Sequence, residues 1–240
     1  MTPVGFFELF GFGPRGWGLA MLVATGVTLA VAFSGFLICS ILGSLIAMGK
    51  LSSSRLARGL GDAYTTILRG IPDLLVIYLF YFGGSIALTN LARMLGYDGF
   101  IGLPIFLTGA LAIAVVNAAY QAEVLRGAYL SLSKGELDAA RSVGMGRWLM
   151  FRRIIVPQVL RYALPGLGNC WQLALKETAL ISVIGLVELL RQAQIGAGST
   201  RQPFYFFLMA AILYLLLTTL STIVFQKAEQ RSMRGVRRAA

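Results

Sequence analysis

Charged and apolar residues alternate along this chain in long blocks rather than in short periods. The first block runs from Leu19 to Met48 without a charge. About 20 uncharged residues suffice to cross the hydrocarbon core as a helix, so this run predicts a span whose excess length is taken up by tilt or an interfacial turn. A polar loop, Gly49 to Gly61, carries Lys50, Arg55 and Arg58. The second apolar run, Leu74 to Ala92, is preceded by Arg69, Pro72 and Asp73; a short loop with Arg93 and Asp98 leads to the third, Phe100 to Ala122. From Glu123 to Arg161 the chain is charged and helical in character, with no run long enough to span. A fourth span is predicted from Tyr162 to Leu190, interrupted by Pro165, Gly166, Gly168, Asn169, Lys176 and Glu177. The fifth, Pro203 to Gln226, is clean and ends in the basic tail Lys227, Arg231, Arg234, Arg237 and Arg238. The pattern predicts an all-α membrane protein with five helical spans, folded as one transmembrane domain over residues 1–240.

Composition agrees. The chain is 57% hydrophobic and 13% charged, about half the charged share of an ordinary soluble domain. Its formal net charge is +11, which invites a nucleic-acid partner; the basic residues instead sit between apolar runs, where membrane topology accounts for them. Of the 21 Lys and Arg residues, sixteen fall on the side of the Gly49–Gly61 loop, the large loop and the C-terminal tail. Four, Arg15, Arg93, Arg191 and Arg201, fall on the other, and Lys176 lies within a span. The positive-inside rule then places the C-terminus in the cytoplasm and the N-terminus outside, as an odd number of spans requires. The start of the chain, with Phe6, Phe7, Phe10, Phe12 and Trp17, lacks a basic opening and a cleavage signal, so the first span is expected to stay in the membrane.

Candidate chemistry is sparse. There is no His, and Cys39 and Cys170 lie singly in apolar runs, which fits buried small hydrophobes and gives neither a metal site nor a disulfide framework. Without His, the Ser-His and Cys-His catalytic pairings are closed. The stretch Gly43–Lys50 has one residue too many between its glycines for a phosphate loop, and Leu51 where Ser or Thr is needed. No catalytic residue, metal or cofactor is expected in this chain.

The large loop reads as a capped helix. Ser133 and Glu136 have capping-box spacing, Glu136 and Asp138 sit near the positive end of the helix dipole, and Arg141 lies near the negative end. Gly144 supplies a left-handed stop, and a second helical piece, Arg147 to Ile155, is broken by Pro157. Ala139 and Ala140 form a small-residue patch that lets another protein approach closely; they are equally the good helix formers of an ordinary loop helix.

The order Asp138-Ala139-Ala140, three residues, Gly144, nine residues, Ile154-Ile155-Val156-Pro157 resembles the coupling loop of ATP-binding cassette importer permeases. That loop reads Glu-Ala-Ala, Gly, then Ile-x-Leu-Pro at the same spacing; Asp and Val are the departures. Arg69-Gly70-Ile71-Pro72, Glu123 to Gly127, Leu164 to Asn169 and Leu175-Lys176-Glu177-Thr178 are similar to the polar amino acid subfamily, nearest to its histidine/lysine/arginine/ornithine and opine permeases. The resemblance covers the chain from about Thr25 to the tail. It implies a type I transmembrane fold with five spans per subunit, working as a pair of identical or homologous permeases in the bacterial inner membrane. A dimer of separate ATP-binding subunits would dock on the loop at about residues 131–157, through Glu136, Asp138, Ala139, Ala140, Arg141 and Gly144. A periplasmic substrate-binding protein would deliver a polar amino acid or opine, a basic one being favoured.

Lys176 and Glu177 lie at membrane depth, where ionisable groups usually face a cavity or a partner. Adjacent helical residues point about 100° apart, so the two do not neutralise each other on one face. Broken helices with mid-depth polar groups recur at substrate sites. Glu177 is therefore expected to meet the cationic part of a substrate beside Asn169 and Thr178, with Lys176 contacting helix ends or a carboxylate; bracing of the bent span is the alternative for both. Glu123 and Arg126, three apart, are expected to pair, with Glu123 also a candidate for the substrate pathway. Asp73 either caps a helix restart or lines the pore. The aromatic run Tyr78, Phe80, Tyr81 and Phe82 is expected at the lipid interface.

Two other functions compete. A self-powered secondary transporter would show inverted repeats, and none is visible. An intramembrane hydrolase would need a dyad such as Ser182 with Lys176, and six residues apart these fall on different helix faces.

Overall fold

The computed structural model describes residues 9–13, 16–97 and 99–233. Phe6, Phe7, Arg15, Asp98, Arg234, Arg237 and Arg238 lie outside the described residues. All regular structure among the described residues is helical. We number the helices in chain order: α1 Gly18–Leu51, α2 Arg55–Gly70, α3 Asp73–Tyr78, α4 Gly84–Met94, α5 Ile105–Leu130, α6 Lys134–Ser142, α7 Arg147–Met150, α8 Val156–Ile181, α9 Leu189–Thr200 and α10 Pro203–Ser232. A wide π-helical turn, Leu79–Gly83, joins α3 to α4, and another, Phe151–Ile155, joins α7 to α8.

Four segments are long and apolar enough to cross a membrane: Gly18–Leu51, Asp73–Met94, Ile105–Leu130 and Pro203–Ser232. They match four of the expected spans. The first has 34 residues, about 51 Å at the helical rise and longer than the hydrocarbon core.

The fourth expected span differs. Its helix, α8, starts at Val156 and ends at Ile181, so Pro157 opens it instead of ending the preceding piece, and Leu189 already begins another helix. The Pro165 to Asn169 stretch does not interrupt it. A Cβ on Gly166 would stand 2.6 Å from Val124 of α5, and one on Gly168 would stand 3.2 Å from Phe225 of α10. These glycines admit close packing; they do not loosen the helix. The loop expected at Gly49–Gly61 is mostly α2, broken off from α1 only at residues 52–54. Ser54 Oγ accepts from the Ala57 N–H at 3.4 Å, a helix-start signal inside what reads as a polar linker.

The chain divides into two compact units. One comprises Met1–Ile38, Ile71–Ala114 and Leu173–Thr219. In it Leu189, Ala193 and Ala197, spaced to fall on one face of α9, pack with Met21 and Phe206. Phe206 meets Trp17 edge-on at 5.4 Å between ring centres. A second cluster gathers Val31, Ile77, Ile113, Ala174 and Ile181. Tyr78, Phe80 and Tyr81 pack against it, so only Phe82 of that aromatic run is left largely exposed, at 55%. The other three are only partly buried against this cluster.

The other unit comprises Cys39–Gly70, Val115–Gln172 and Leu220–Ala240. Leu132, Ala140, Met150 and Ile155 form a small core beneath the large loop. Cys39 and Cys170 are both buried, and neither is in a disulfide. Cys39 has more than a packing role: its Sγ accepts from Gln121 Nε2 at 2.9 Å.

Candidate functional site

The second unit holds the large loop. Its helix α6 ends as its sequence demands: Gly144 sits at φ +74°, its N–H bonds the Arg141 carbonyl at 2.9 Å, and the Met145 N–H bonds the Ala140 carbonyl at 3.1 Å. This is the glycine-terminated pattern in which two orphan carbonyls are satisfied at once. The capping box at the other end does not form. Ser133 makes no side-chain cap bond, and Glu136 Oε2 instead accepts from Gln158 Nε2 of α8 at 2.6 Å. A primary amide brought in by the fold displaces the local partner. Asp138 and Arg141 pair at 2.8 Å with both side chains more than 60% exposed.

The two alanines separate. Ala140 is 5% exposed and belongs to the core under the loop, whereas Ala139 is exposed. Adjacent helical positions diverge by about 100°, so one anchors α6 while the other faces outward. The small-residue patch expected from Ala139 and Ala140 is thus halved. Val143 extends the outward surface, 76% exposed.

The same unit contains an ion network that spacing only partly announced. Glu123 pairs with Arg126 at 3.0 Å, as expected. It also pairs with Lys50 at the end of α1, whose side chain is 5% exposed. Lys50 further reaches Asp62 of α2 at 3.0 Å and donates to Thr65 Oγ1 at 2.7 Å. One ammonium therefore ties α1, α2 and α5 together. Arg69 stands over the Tyr120 ring at 5.5 Å. Asn169, on α8, is exposed.

In the first unit, Glu177 is buried at 7% exposure and Thr178 completely, while Lys176 is exposed. The divergence expected of adjacent residues is what the helix shows. Thr178 Oγ1 donates to the Leu175 carbonyl at 2.7 Å and lies 3.5 Å from the Tyr214 hydroxyl. Tyr214 donates to Glu188 Oε2 at 2.9 Å. Glu188 is fully buried and caps α9, accepting from the Leu190 and Arg191 N–H groups at 2.9 and 2.7 Å. Thr28 Oγ1 accepts from the Leu189 N–H at 3.1 Å. Neither Glu188 nor Tyr214 was singled out by sequence. The available signal was a helix restart after Gly185, which adopts φ +101° and ends the preceding turn. Asp73 is half-buried in the first turn of α3. The capping position is taken by Pro72, which has no side-chain cap bond, so of the two roles expected for Asp73 the helix cap is not formed.

A family model described as a binding-protein-dependent transport system inner membrane component matches residues 39–234. The chain belongs to this family. The permease is 62% identical over 233 residues to the octopine transport system permease protein of Rhizobium radiobacter, covering 97% of this chain and 98% of the relative. It is 48% identical over 230 residues to the nopaline transport system permease protein of Agrobacterium fabrum, covering 95% and 98%. To the histidine/lysine/arginine/ornithine transport system permease protein of Escherichia coli it is 39% identical over 225 residues, covering 93% and 98%.

Among solved structures, an amino acid ABC transporter with histidines superposes with a TM-score of 0.78 at 30% identity, over 96% of the permease and 100% of that chain. The MetNI methionine ABC transporter, inward facing, superposes with a TM-score of 0.65 at 18% identity, over 90% and 96%, and supports the fold alone. The protein is therefore a multi-pass membrane permease of the ABC importer class, not an enzyme in its own right.

Proposed function

We propose that this permease moves an opine or a basic amino acid inward across the bacterial inner membrane, driven by a separate ATPase dimer. The observation that carries the reading is the exposed face of α6. Apart from Ala140 the helix is not buried, it stands on its own small core, and it offers Glu136, Asp138, Ala139, Arg141 and the Gly144 turn outward. A short outward helix on a membrane subunit, closed at its C-terminus by the Gly144 turn, is suited to fit a groove on a soluble motor and to transmit its movement. Ala140 serves by anchoring it.

In the same proposal α8 completes a five-span topology with the four apolar segments, the N-terminus lying outside and the C-terminus in the cytoplasm. Residues 1–240 form one permease domain, paired with an identical or homologous subunit and served by a periplasmic binding protein. The substrate pathway takes Glu177, Lys176, Asn169, Thr178 and Asp73. Glu123, committed to Lys50 and Arg126, braces the helices. The substrate class is supported by relatives named for octopine, nopaline and histidine/lysine/arginine/ornithine transport.

The test is reconstitution of the permease pair with its ATPase and binding protein in liposomes. ATP hydrolysis should rise when the binding protein carries octopine, nopaline or arginine, and not when it is offered glutamate. Stimulation by glutamate alone would overturn the substrate class. Uptake driven by an ion gradient without the ATPase would overturn the coupling.

A further inference from the structure

Two cavities in the second unit adjoin at the base of the large loop. One, of about 330 Å³, is walled by Met48 and Leu51 of α1, Leu125 of α5, and Val159 and Leu160 of α8. The other, of about 630 Å³, is lined by Arg141, Arg147, Trp148 and Met150. Phe151 and Ile155 line both. The first is an apolar slot between membrane helices; the second presents two guanidinium groups. Trp148 is 73% exposed and stacks on Phe151 at 5.9 Å between ring centres. Arg141 keeps its exposed pair with Asp138, leaving Arg147, with Arg152 and Arg153 exposed beyond it, as the cationic side of the opening.

We propose that the adjoining cavities form a binding site for an anionic phospholipid, its acyl chain in the apolar slot and its phosphate at Arg147. The occupant follows from three features. The slot opens between α1 and α5, both long and apolar enough to cross a bilayer, and α8, which crosses in the topology proposed above, so the molecules in reach of it are lipids. The charge at its mouth is positive, and basic pockets at the ends of membrane helices select anionic head groups. Trp148 stands beside that charge, where an amphipathic ring belongs at head-group level. The site connects the spans to the Arg147–Ile155 connection that follows α6, so an anionic lipid there would set how firmly the loop is held. The choice of the inner leaflet rests on the topology proposed above; head-group selectivity does not.

The test uses the assembled transporter, ATPase included, in nanodiscs of phosphatidylcholine containing either brominated phosphatidylglycerol or brominated phosphatidylcholine. Quenching of Trp148 is isolated by difference from the Trp148→Phe variant. Brominated phosphatidylglycerol should quench at about fivefold lower mole fraction, the preference one cation confers for a lipid of net negative charge over a zwitterionic one. Arg147→Gln should remove the preference and Arg147→Lys should keep it. Rising salt should erode it in the unsubstituted protein, a measurement that stands even where a variant does not assemble. Equal quenching by both lipids, or a preference that survives Arg147→Gln or high salt, would overturn the site. Quenching seen only when the ATPase is absent would assign this face to the ATPase and overturn it equally. Loss of ATPase docking with lipid preference intact would count against the proposed coupling alone.

Discussion

The hydroxyl of Tyr214 donates a 2.9 Å hydrogen bond to the carboxylate of Glu188, 26 residues earlier in the chain. Glu188 is fully buried and holds the second and third N–H groups of α9 as well. Three donors therefore converge on one carboxylate, and removing it leaves all three without that acceptor in a buried place. Tyr214→Phe should cost about 1.5–3 kcal/mol, the worth of a hydrogen bond to a charged group. Glu188→Ala should cost more, because it also strips the helix cap. Thermal unfolding in detergent ranks the two, and amide exchange should accelerate over Leu190 and Arg191 in Glu188→Ala but little in Tyr214→Phe.

The Lys50 network invites a comparison within one residue. Its partner Glu123 is 25% exposed, whereas Asp62 is 64% exposed. Water screens the second pair far more than the first, and exposed pairs are worth about 1 kcal/mol or less. Double-mutant cycles in unfolding should give a Lys50–Glu123 coupling clearly above that of Lys50–Asp62. Equal couplings would mean that the buried ammonium is held mainly by Thr65 and packing.

How much of this was legible beforehand depends on the range over which each feature is decided. The runs that became α1 and α10 were visible within a few residues because lipid demands the same apolar character along a whole helix. The Gly144 stop was visible because a positive φ is a one-residue requirement. The Glu123–Arg126 pair was visible because a helix brings residues three apart together. Lys50 meeting Glu123 from 73 residues away was not, nor was Gln158 taking Glu136 from its capping box. Glu188 read as the tail of a span, and only the turn at Gly185 turns it into the cap of another helix. Local rules name what a side chain can bond; the fold decides which competitor arrives.

Gly144 separates a backbone requirement from a steric one. A Cβ there would meet nothing within 4 Å, so a substituted side chain has room, and its cost is the left-handed backbone alone, about 1–2 kcal/mol for an ordinary residue. Asn tolerates that conformation better than a β-branched residue. Gly144→Val should therefore loosen the end of α6 and lower transport per ATP hydrolysed, while Gly144→Asn stays near the parent. The ratio of uptake to hydrolysis in proteoliposomes measures this, and equal ratios for both variants would argue against a role for the turn in coupling.

Lys176 and Glu177 are neighbours with opposite environments, one exposed and one 7% exposed. If Glu177 meets a cationic substrate, the carboxylate matters for its charge, and an amide of the same shape should keep the packing while losing the attraction. Glu177→Gln should then lower uptake of a basic amino acid or opine at least tenfold, about 1.4 kcal/mol or more at the binding or translocation step. Its yield and melting temperature should stay close to those of the parent. If the residue only braces α8, the order reverses: the melting temperature falls, and uptake per folded transporter holds. Lys176→Met adds the contrast, since an exposed ammonium contributes little to the stability of the single subunit. A loss of uptake in Lys176→Met with unchanged melting would place the ammonium on the substrate pathway, whereas failure of the two permease subunits to copurify would place it at their interface. Measuring uptake, melting and copurification on the same preparations distinguishes these outcomes.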